Sequence, residues 1–88
     1  MKKALVIGVG PLNGLGAQLC KKIANNNFEV FVAGRTKASL DMVVDSILKD
    51  GNKASPIVVD TTDELQIKSM IEVVGTGLDF AVYNVGNN

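Results

Sequence analysis

Short apolar runs alternate along the chain with longer stretches in which apolar residues recur at helical spacing. The runs ALVIGV (4–9), FEVFVA (28–33), KASPIVV (53–59) and LDFAVYN (78–84) are rich in β-branched and aromatic residues, which predicts four strands. Their nearly continuous apolar character is typical of strands that are covered on both faces.

Helical patterns lie between these runs. Leu15, Leu19 and Ile23 recur every four residues, and the stretches 40–48 and 65–74 carry similar apolar stripes. Three amphipathic helices are therefore predicted, each with its apolar stripe against the sheet.

Polar residues and glycines mark the ends of these helices. Thr61-x-x-Glu64 matches a capping box at the start of the third helix, whereas Gly51 and the asparagines at 25–27 suit C-terminal turns. The resulting order, β-α-β-α-β-α-β, favours parallel strands joined by right-handed crossovers. Residues 1–88 are predicted to form one α/β domain with a doubly wound parallel sheet.

Composition narrows the function classes. The 88 residues carry nine basic and nine acidic side chains, so no net charge favours nucleic acid or a membrane surface. There is no histidine, and the single cysteine, Cys20, is expected to be a packed side chain, so no metal site or Cys/His nucleophile is predicted. No run reaches the ~20 apolar residues of a membrane span. We expect a cytoplasmic protein with no membrane partner.

The stretch VIGVGPLNGLG (6–16) joins the first strand to the first helix. Such a glycine-rich loop lets backbone N–H groups and the positive end of the helix dipole meet a phosphate. A Walker A loop is excluded because no Gly-Lys-Ser/Thr follows, and the G-x-G-x-x-G pattern fails at Asn13. The spacing that fits is Gly10-x-x-x-Gly14-x-Gly16.

With this loop and three further landmarks, the chain resembles the short-chain dehydrogenase/reductase family, whose fingerprint is T-G-x-x-x-G-x-G. VFVAGRTKASLDMVVDSI resembles the family's second strand and helix, VVDTTDE its third strand, and GLDFAVYNVG its L-D-x-L-V-x-N-A-G strand. The four landmarks occur in family order over almost the whole chain. The resemblance implies a Rossmann-type sheet in the order 3-2-1-4 and a dinucleotide cofactor.

The loop departs from the family pattern in two ways. The family's threonine is missing, and the length of the first strand places Gly8 where the family's first glycine usually falls. In that register Leu12 and Asn13 are a two-residue insertion. Glycine spacing favours Gly10 for this position and strand length favours Gly8, so both remain candidates.

The end of the second strand indicates which dinucleotide is bound. A carboxylate there pairs with the ribose of NAD, whereas an arginine accommodates the 2′-phosphate of NADP. The strand ends in Arg35 and Thr36 with no acid beside them, and Lys37 follows. NADP(H) is therefore predicted over NAD(H), with Thr36 either capping the next helix or contacting the phosphate.

The resemblance implies further contacts. It places Asp60 and Thr61 at the adenine ring, and Asn84, Val85 and Gly86 at the adenosine ribose. The predicted cofactor contacts are Gly8, Gly10, Asn13, Gly14, Leu15, Gly16, Arg35, Thr36, Asp60, Thr61, Asn84, Val85 and Gly86.

Catalytic residues are not predicted in this chain. Hydride transfer in the family depends on a serine and on a Tyr-x-x-x-Lys pair, but the only tyrosine, Tyr83, is followed four residues later by Asn87. We expect an inactive amino-terminal part of a longer NADP-dependent oxidoreductase, whose exposed fourth strand favours self-association. The alternative is a non-catalytic nucleotide-binding or interaction module that is complete at 88 residues.

Overall fold

A computed structural model describes residues 1–84, and its elements follow the predicted order. The elements are β1 (Lys2–Ile7), α1 (Leu15–Asn25), β2 (Phe28–Gly34), α2 (Lys37–Lys49), β3 (Lys53–Val58), α3 (Glu64–Val74) and β4 (Leu78–Tyr83). The four predicted strands and three predicted helices are all confirmed; the strand boundaries shift by one or two residues, and α2 begins three residues before the predicted stretch. Two predicted cofactor contacts, Val85 and Gly86, lie outside the described residues.

The four strands form one parallel sheet in the order β3-β2-β1-β4, as the family resemblance implies. The last residue of β1, Ile7, pairs with Ala33 of β2 on one side and with Tyr83 of β4 on the other. Because the strands are parallel, their carboxyl ends lie along one edge of the sheet. In open α/β sheets ligands bind outside this edge, at the point where the strand order reverses. Here that point lies between β1 and β4.

Apolar side chains cover both faces of the central strands. Alternate residues of β1 and β2, such as Val6 and Val32, pack beneath α1 and α2, where Leu40 is fully buried. The residues between them, such as Leu5 and Phe31, pack beneath α3. Each fully buried aliphatic side chain of this kind contributes about 1.5–3 kcal/mol relative to an exposed one. These layers hold the two central strands that position the site.

The prediction of two covered faces is wrong for the outer strands. Residues 78–81 of β4 are exposed, with Leu78 and Phe80 each 38 % accessible, and β3 is at best partly buried. Each outer strand has a hydrogen-bonded neighbour on one side only. β4 is therefore an apolar edge strand within the described part of the chain.

The buried face of α1 also differs from the predicted stripe. Leu15 is 79 % exposed, and Leu19 is only partly buried. The residues that face the sheet are mostly small: Gly16, Ala17, Cys20, Ile23 and Ala24. Small side chains let α1 lie close to β1, which a stripe of leucines would not allow.

Two of the three predicted helix ends are confirmed and one is wrong. Gly51 follows α2 with a φ of 82°, and Asn27 follows α1 with a φ of 70°, both in the left-handed region. The start of α3 is capped by Asp63, which accepts hydrogen bonds from the backbone N–H groups of Leu65 and Gln66, and not by Thr61. None of the helices described is long and apolar enough to cross a membrane.

Candidate cofactor-binding site

A cavity of about 460 Å³ opens at the carboxyl ends of the four strands. It is formed by the loop after β1, the end of β2, the segment after β3 and the end of β4. Six of the predicted contact residues line it: Gly8, Gly10, Arg35, Thr36, Thr61 and Asn84. The predicted contacts that the structure describes outside this lining are Asn13, Gly14, Leu15, Gly16 and Asp60.

The chain turns sharply at Gly8, directly after β1. The backbone N–H groups of Gly8 and Val9 both donate to the carbonyl oxygen of Ala33, at 2.9 Å each. Gly8 has a φ of 89°, and a Cβ atom there would overlap the backbone oxygen of Asn84. Both observations require glycine. By contrast, a Cβ atom on Gly10 would meet nothing within 4 Å.

Leu12 and Asn13, which are an insertion only in the Gly8 register, lie in a tight turn. The N–H of Gly14 donates to the carbonyl oxygen of Pro11 at 2.8 Å, so that Leu12 and Asn13 are the central residues of the turn. The side chain of Gln18, on the first turn of α1, donates to the carbonyl oxygen of Leu12 at 3.1 Å. Leu12 and Asn13 therefore form an ordered turn held to α1, which is compatible with the Gly8 register.

The amino end of α1 lies against this loop without a cap of its own. Its N-cap, Gly14, has no side chain, and the first turn contains no acidic residue. A Cβ atom on Gly16 would lie 2.9 Å from the Asn84 side-chain nitrogen and 3.3 Å from the Cα atom of Val9. Glycine at 16 thus allows the helix to begin close to the β1 turn. Uncapped N–H groups at a helix start are suited to bind an anion.

Arg35 follows β2 directly and is exposed at the rim of the cavity. The other predicted cation, Lys37, is already engaged, because its ammonium lies 2.7 Å from the Asp41 carboxylate. Within residues 1–84, Arg35 has no ion-pair partner at this distance, so its guanidinium remains available to an anionic ligand. Thr36 is the N-cap of α2 by position, although its side chain makes no capping hydrogen bond.

Asp60 occupies a turn after β3. Its carboxylate accepts hydrogen bonds from the backbone N–H of Thr62 at 3.0 Å and from the Thr62 hydroxyl at 2.7 Å. These two bonds, with a smaller contribution from the charge of Arg35, hold the pKa of Asp60 below its usual value. Its backbone N–H donates to the Gln66 side chain at 2.8 Å. The carboxylate is therefore charged at neutral pH, and its turn lies close enough to Arg35 for the two charges to attract each other.

Asn84 connects the end of β4 to the glycine turn. Its backbone N–H donates to the carbonyl oxygen of Ile7 at 2.8 Å, and its side-chain amide lies 3.4 Å from the Gly8 carbonyl oxygen. The same amide is the atom that a Cβ on Gly16 would meet. The Asn84 side chain thus lies at the junction of β4, the Gly8 turn and the start of α1.

Sequence reasoning missed several lining residues. The additional lining residues are Ile7, Val9, Gly34, Val59 and Tyr83. All five are adjacent in the sequence to a predicted contact and could have been found by counting one residue to either side of each. The sequence gives no sign of the contact that Tyr83 makes, because its hydroxyl lies 3.4 Å from that of Thr61, 22 residues earlier in the chain.

The parallel order 3-2-1-4, the glycine turn after β1 and a cavity at the strand reversal together define the Rossmann class of α/β fold. The family profile described as short chain dehydrogenase matches residues 2–88. The chain belongs to the short-chain dehydrogenase/reductase family.

Solved structures of this family are similar to the chain. A short-chain type dehydrogenase/reductase from Mycobacterium marinum is 34% identical, with a TM-score of 0.89, over 98% of this chain and 35% of that one. A hydroxysteroid dehydrogenase from Escherichia coli is 27% identical, with a TM-score of 0.86, over 98% and 37%. A variant of actinorhodin polyketide ketoreductase, solved with NADPH, shares the fold at 24% identity and a TM-score of 0.87, over 98% and 33%.

The chain spans about a third of the length of these three structures. No curated protein sequence matches it significantly.

Proposed function

We propose that residues 1–88 form the NADP(H)-binding part of a longer short-chain reductase, which transfers hydride between NADPH and a carbonyl or alcohol substrate. The observation that carries the choice of cofactor is the position of Arg35 at the rim of the cavity, with no acidic residue at the end of β2. A guanidinium offers a planar set of donors that matches a phosphate, whereas a carboxylate at this place would repel it.

In this proposal the pyrophosphate lies between the glycine turn and the start of α1. The uncapped N–H groups that follow Gly14 supply hydrogen bonds, and the helix dipole favours negative charge there. Gly8 and Gly16 serve a different purpose, because they keep the turn and the helix close together. Leu15, exposed at the first helical position, would cover the cofactor from the solvent side.

The adenosine would lie between the ends of β2, β3 and β4. Arg35 would bind its 2′-phosphate with support from Thr36, and Asp60 and Thr61 would flank the adenine. Asn84, followed by Val85 and Gly86, would border the ribose. NAD(H) is the less favoured ligand, since the end of β2 has no carboxylate that could accept a hydrogen bond from the ribose 2′-hydroxyl.

The test is the affinity of the full-length protein for NADPH and NADH, measured by isothermal titration calorimetry. Arg35→Ala is expected to weaken NADPH binding by about 10- to 100-fold, the value of one or two charge-assisted hydrogen bonds, and to leave NADH binding nearly unchanged. Lys37→Ala is the matched control, because it removes a neighbouring cation that already pairs with Asp41. Tighter binding of NADH than of NADPH, or an unchanged NADPH affinity in Arg35→Ala, would contradict the assignment.

Two further expectations belong to this proposal. Residues 1–88 alone are expected to bind cofactor without catalysing hydride transfer. Their exposed β4 edge is expected to pair with another strand, and without such a strand it is expected to cause self-association. The lone buried thiol of Cys20 suits a reducing cytoplasm.

A further inference from the structure

Tyr83 has a position that the proposed cofactor contacts do not explain. It is the last residue of β4, pairs in register with Ile7 and lines the cavity with a side chain that is 61 % exposed. Its hydroxyl lies 3.4 Å from the Thr61 hydroxyl. Since β2 and β1 lie between β3 and β4, this contact connects the segment after β3 with the end of β4 across the mouth of the cavity.

The contact places the tyrosine at a particular end of the cavity. Thr61 follows β3, and β3 is the hydrogen-bonded neighbour of β2, whose end carries Arg35. In the proposed binding mode Arg35 marks the 2′-phosphate, so the hydroxyl of Tyr83 lies at the adenosine end. The ring lies between that hydroxyl contact and the backbone of Tyr83, which pairs with Ile7.

We propose that Tyr83 is a cofactor-binding residue whose ring packs against the adenosine of the dinucleotide, with Thr61 orienting it through the hydroxyl contact. This inference rests on the proposed nucleotide site. A tyrosine ring has a flat apolar face for a nucleobase and a polar tip for a hydrogen bond, and it loses little conformational freedom on binding. Phe28 and Phe80, by contrast, already pair edge to face at 5.1 Å on the opposite side of the sheet.

The experiment compares ring and hydroxyl variants in the full-length protein, with 2′,5′-ADP and NAD⁺ as probes. Both probes contain adenosine, and only the first carries a 2′-phosphate. Tyr83→Ala is expected to weaken both by about fivefold or more, the usual effect of losing a base–aromatic contact. Tyr83→Phe keeps the ring and is expected to remain within about threefold of the unmodified protein, because it loses one exposed hydrogen bond.

Phe80→Ala is the control, because it removes an aromatic ring from the same strand on the other face. It is expected to leave both affinities unchanged. If Tyr83→Ala fails to fold, Tyr83→Leu replaces it, since leucine keeps apolar bulk in the strand without an aromatic face. Binding of both probes by Tyr83→Leu and Tyr83→Ala as tightly as by the unmodified protein would overturn the inference.

The outcome separates this inference from the cofactor assignment. Arg35→Ala is expected to weaken 2′,5′-ADP only, whereas Tyr83→Ala is expected to weaken both probes by the same factor. If Tyr83→Ala weakens binding of both probes while Arg35→Ala leaves both affinities unchanged, the tyrosine contact is supported and the preference for NADP is contradicted.

Discussion

A methyl group at Gly8 is the smallest change that tests the turn after β1. In Gly8→Ala two costs arise from the structure. The φ of 89° is strained for any residue with a side chain, at a cost of the order of 1–3 kcal/mol. The new Cβ atom would also overlap the backbone oxygen of Asn84, and displacing backbone in a packed region costs about 1–3 kcal/mol more. The expected loss of unfolding free energy is therefore about 2–6 kcal/mol.

Two other glycines separate these costs. Gly51 has a φ of 82° with no atom within 4 Å of its Cβ position, so Gly51→Ala measures the backbone strain alone. Gly10 has neither a positive φ nor a close neighbour, so Gly10→Ala is expected to change stability by no more than about 0.5 kcal/mol. The difference between Gly8→Ala and Gly51→Ala then gives the cost of the contact with Asn84.

The assay is equilibrium urea unfolding of the full-length protein and its three alanine variants, monitored by circular dichroism. The dependence of the unfolding free energy on urea concentration is compared between variants to detect changes in the unfolded state. A Gly8→Ala protein that does not fold beside a folded Gly51→Ala supports the same conclusion. If Gly8→Ala costs no more than Gly10→Ala, Gly8 is not the close-contact glycine of the turn and the argument for the two-residue insertion fails.

Two further predictions concern stability at Cys20 and at the start of α3. Burial raises the pKa of the Cys20 thiol to about 12 from 9.0, so between these values the folded protein keeps a proton that the unfolded chain loses. This group should lower stability by up to about 1.4 kcal/mol per pH unit as the pH rises through that window, and urea unfolding of Cys20→Ala should show a shallower alkaline decline. Asp63→Ala should cost about 1 kcal/mol through loss of the α3 cap, whereas Thr61→Ala should cost clearly less in the same assay; equal losses would restore Thr61 as the cap.

Local patterns in the sequence predicted the elements well because strands and helices leave regular signals along the chain. The end of α2 is an example, because Gly51 adopts the left-handed conformation that ends a helix, and this does not depend on what the helix packs against. The start of α3 shows the limit of such reasoning. Thr61-x-x-Glu64 and Asp63-x-x-Gln66 both fit the capping pattern, and the contacts of Asp60 with Gln66 and Thr62 favour the second.

The face of α1 was mispredicted for a tertiary reason. Leu15 and Leu19 have the spacing of a buried stripe, but α1 begins so close to the Gly8 turn that small residues such as Gly16 and Ala17 face the sheet at its amino end. Hydrophobic periodicity assumes that the most apolar face is the buried one. Close packing instead placed the face with the smallest side chains against the sheet. Leu15 therefore lies at the surface beside the proposed cofactor site.

The order of elements, the family and the presence of Arg35 without a neighbouring acid at the end of β2 follow from the amino-acid sequence alone, because each depends on residues that are near in the chain or on motifs in a fixed order. Only the fold shows that Gly8, and not Gly10, makes the close contact of the turn, and that Tyr83 lies beside Thr61. Both outcomes depend on contacts between distant segments, Gly8 with Asn84 and the segment after β3 with the end of β4, which exist only once the order and register of the strands are set.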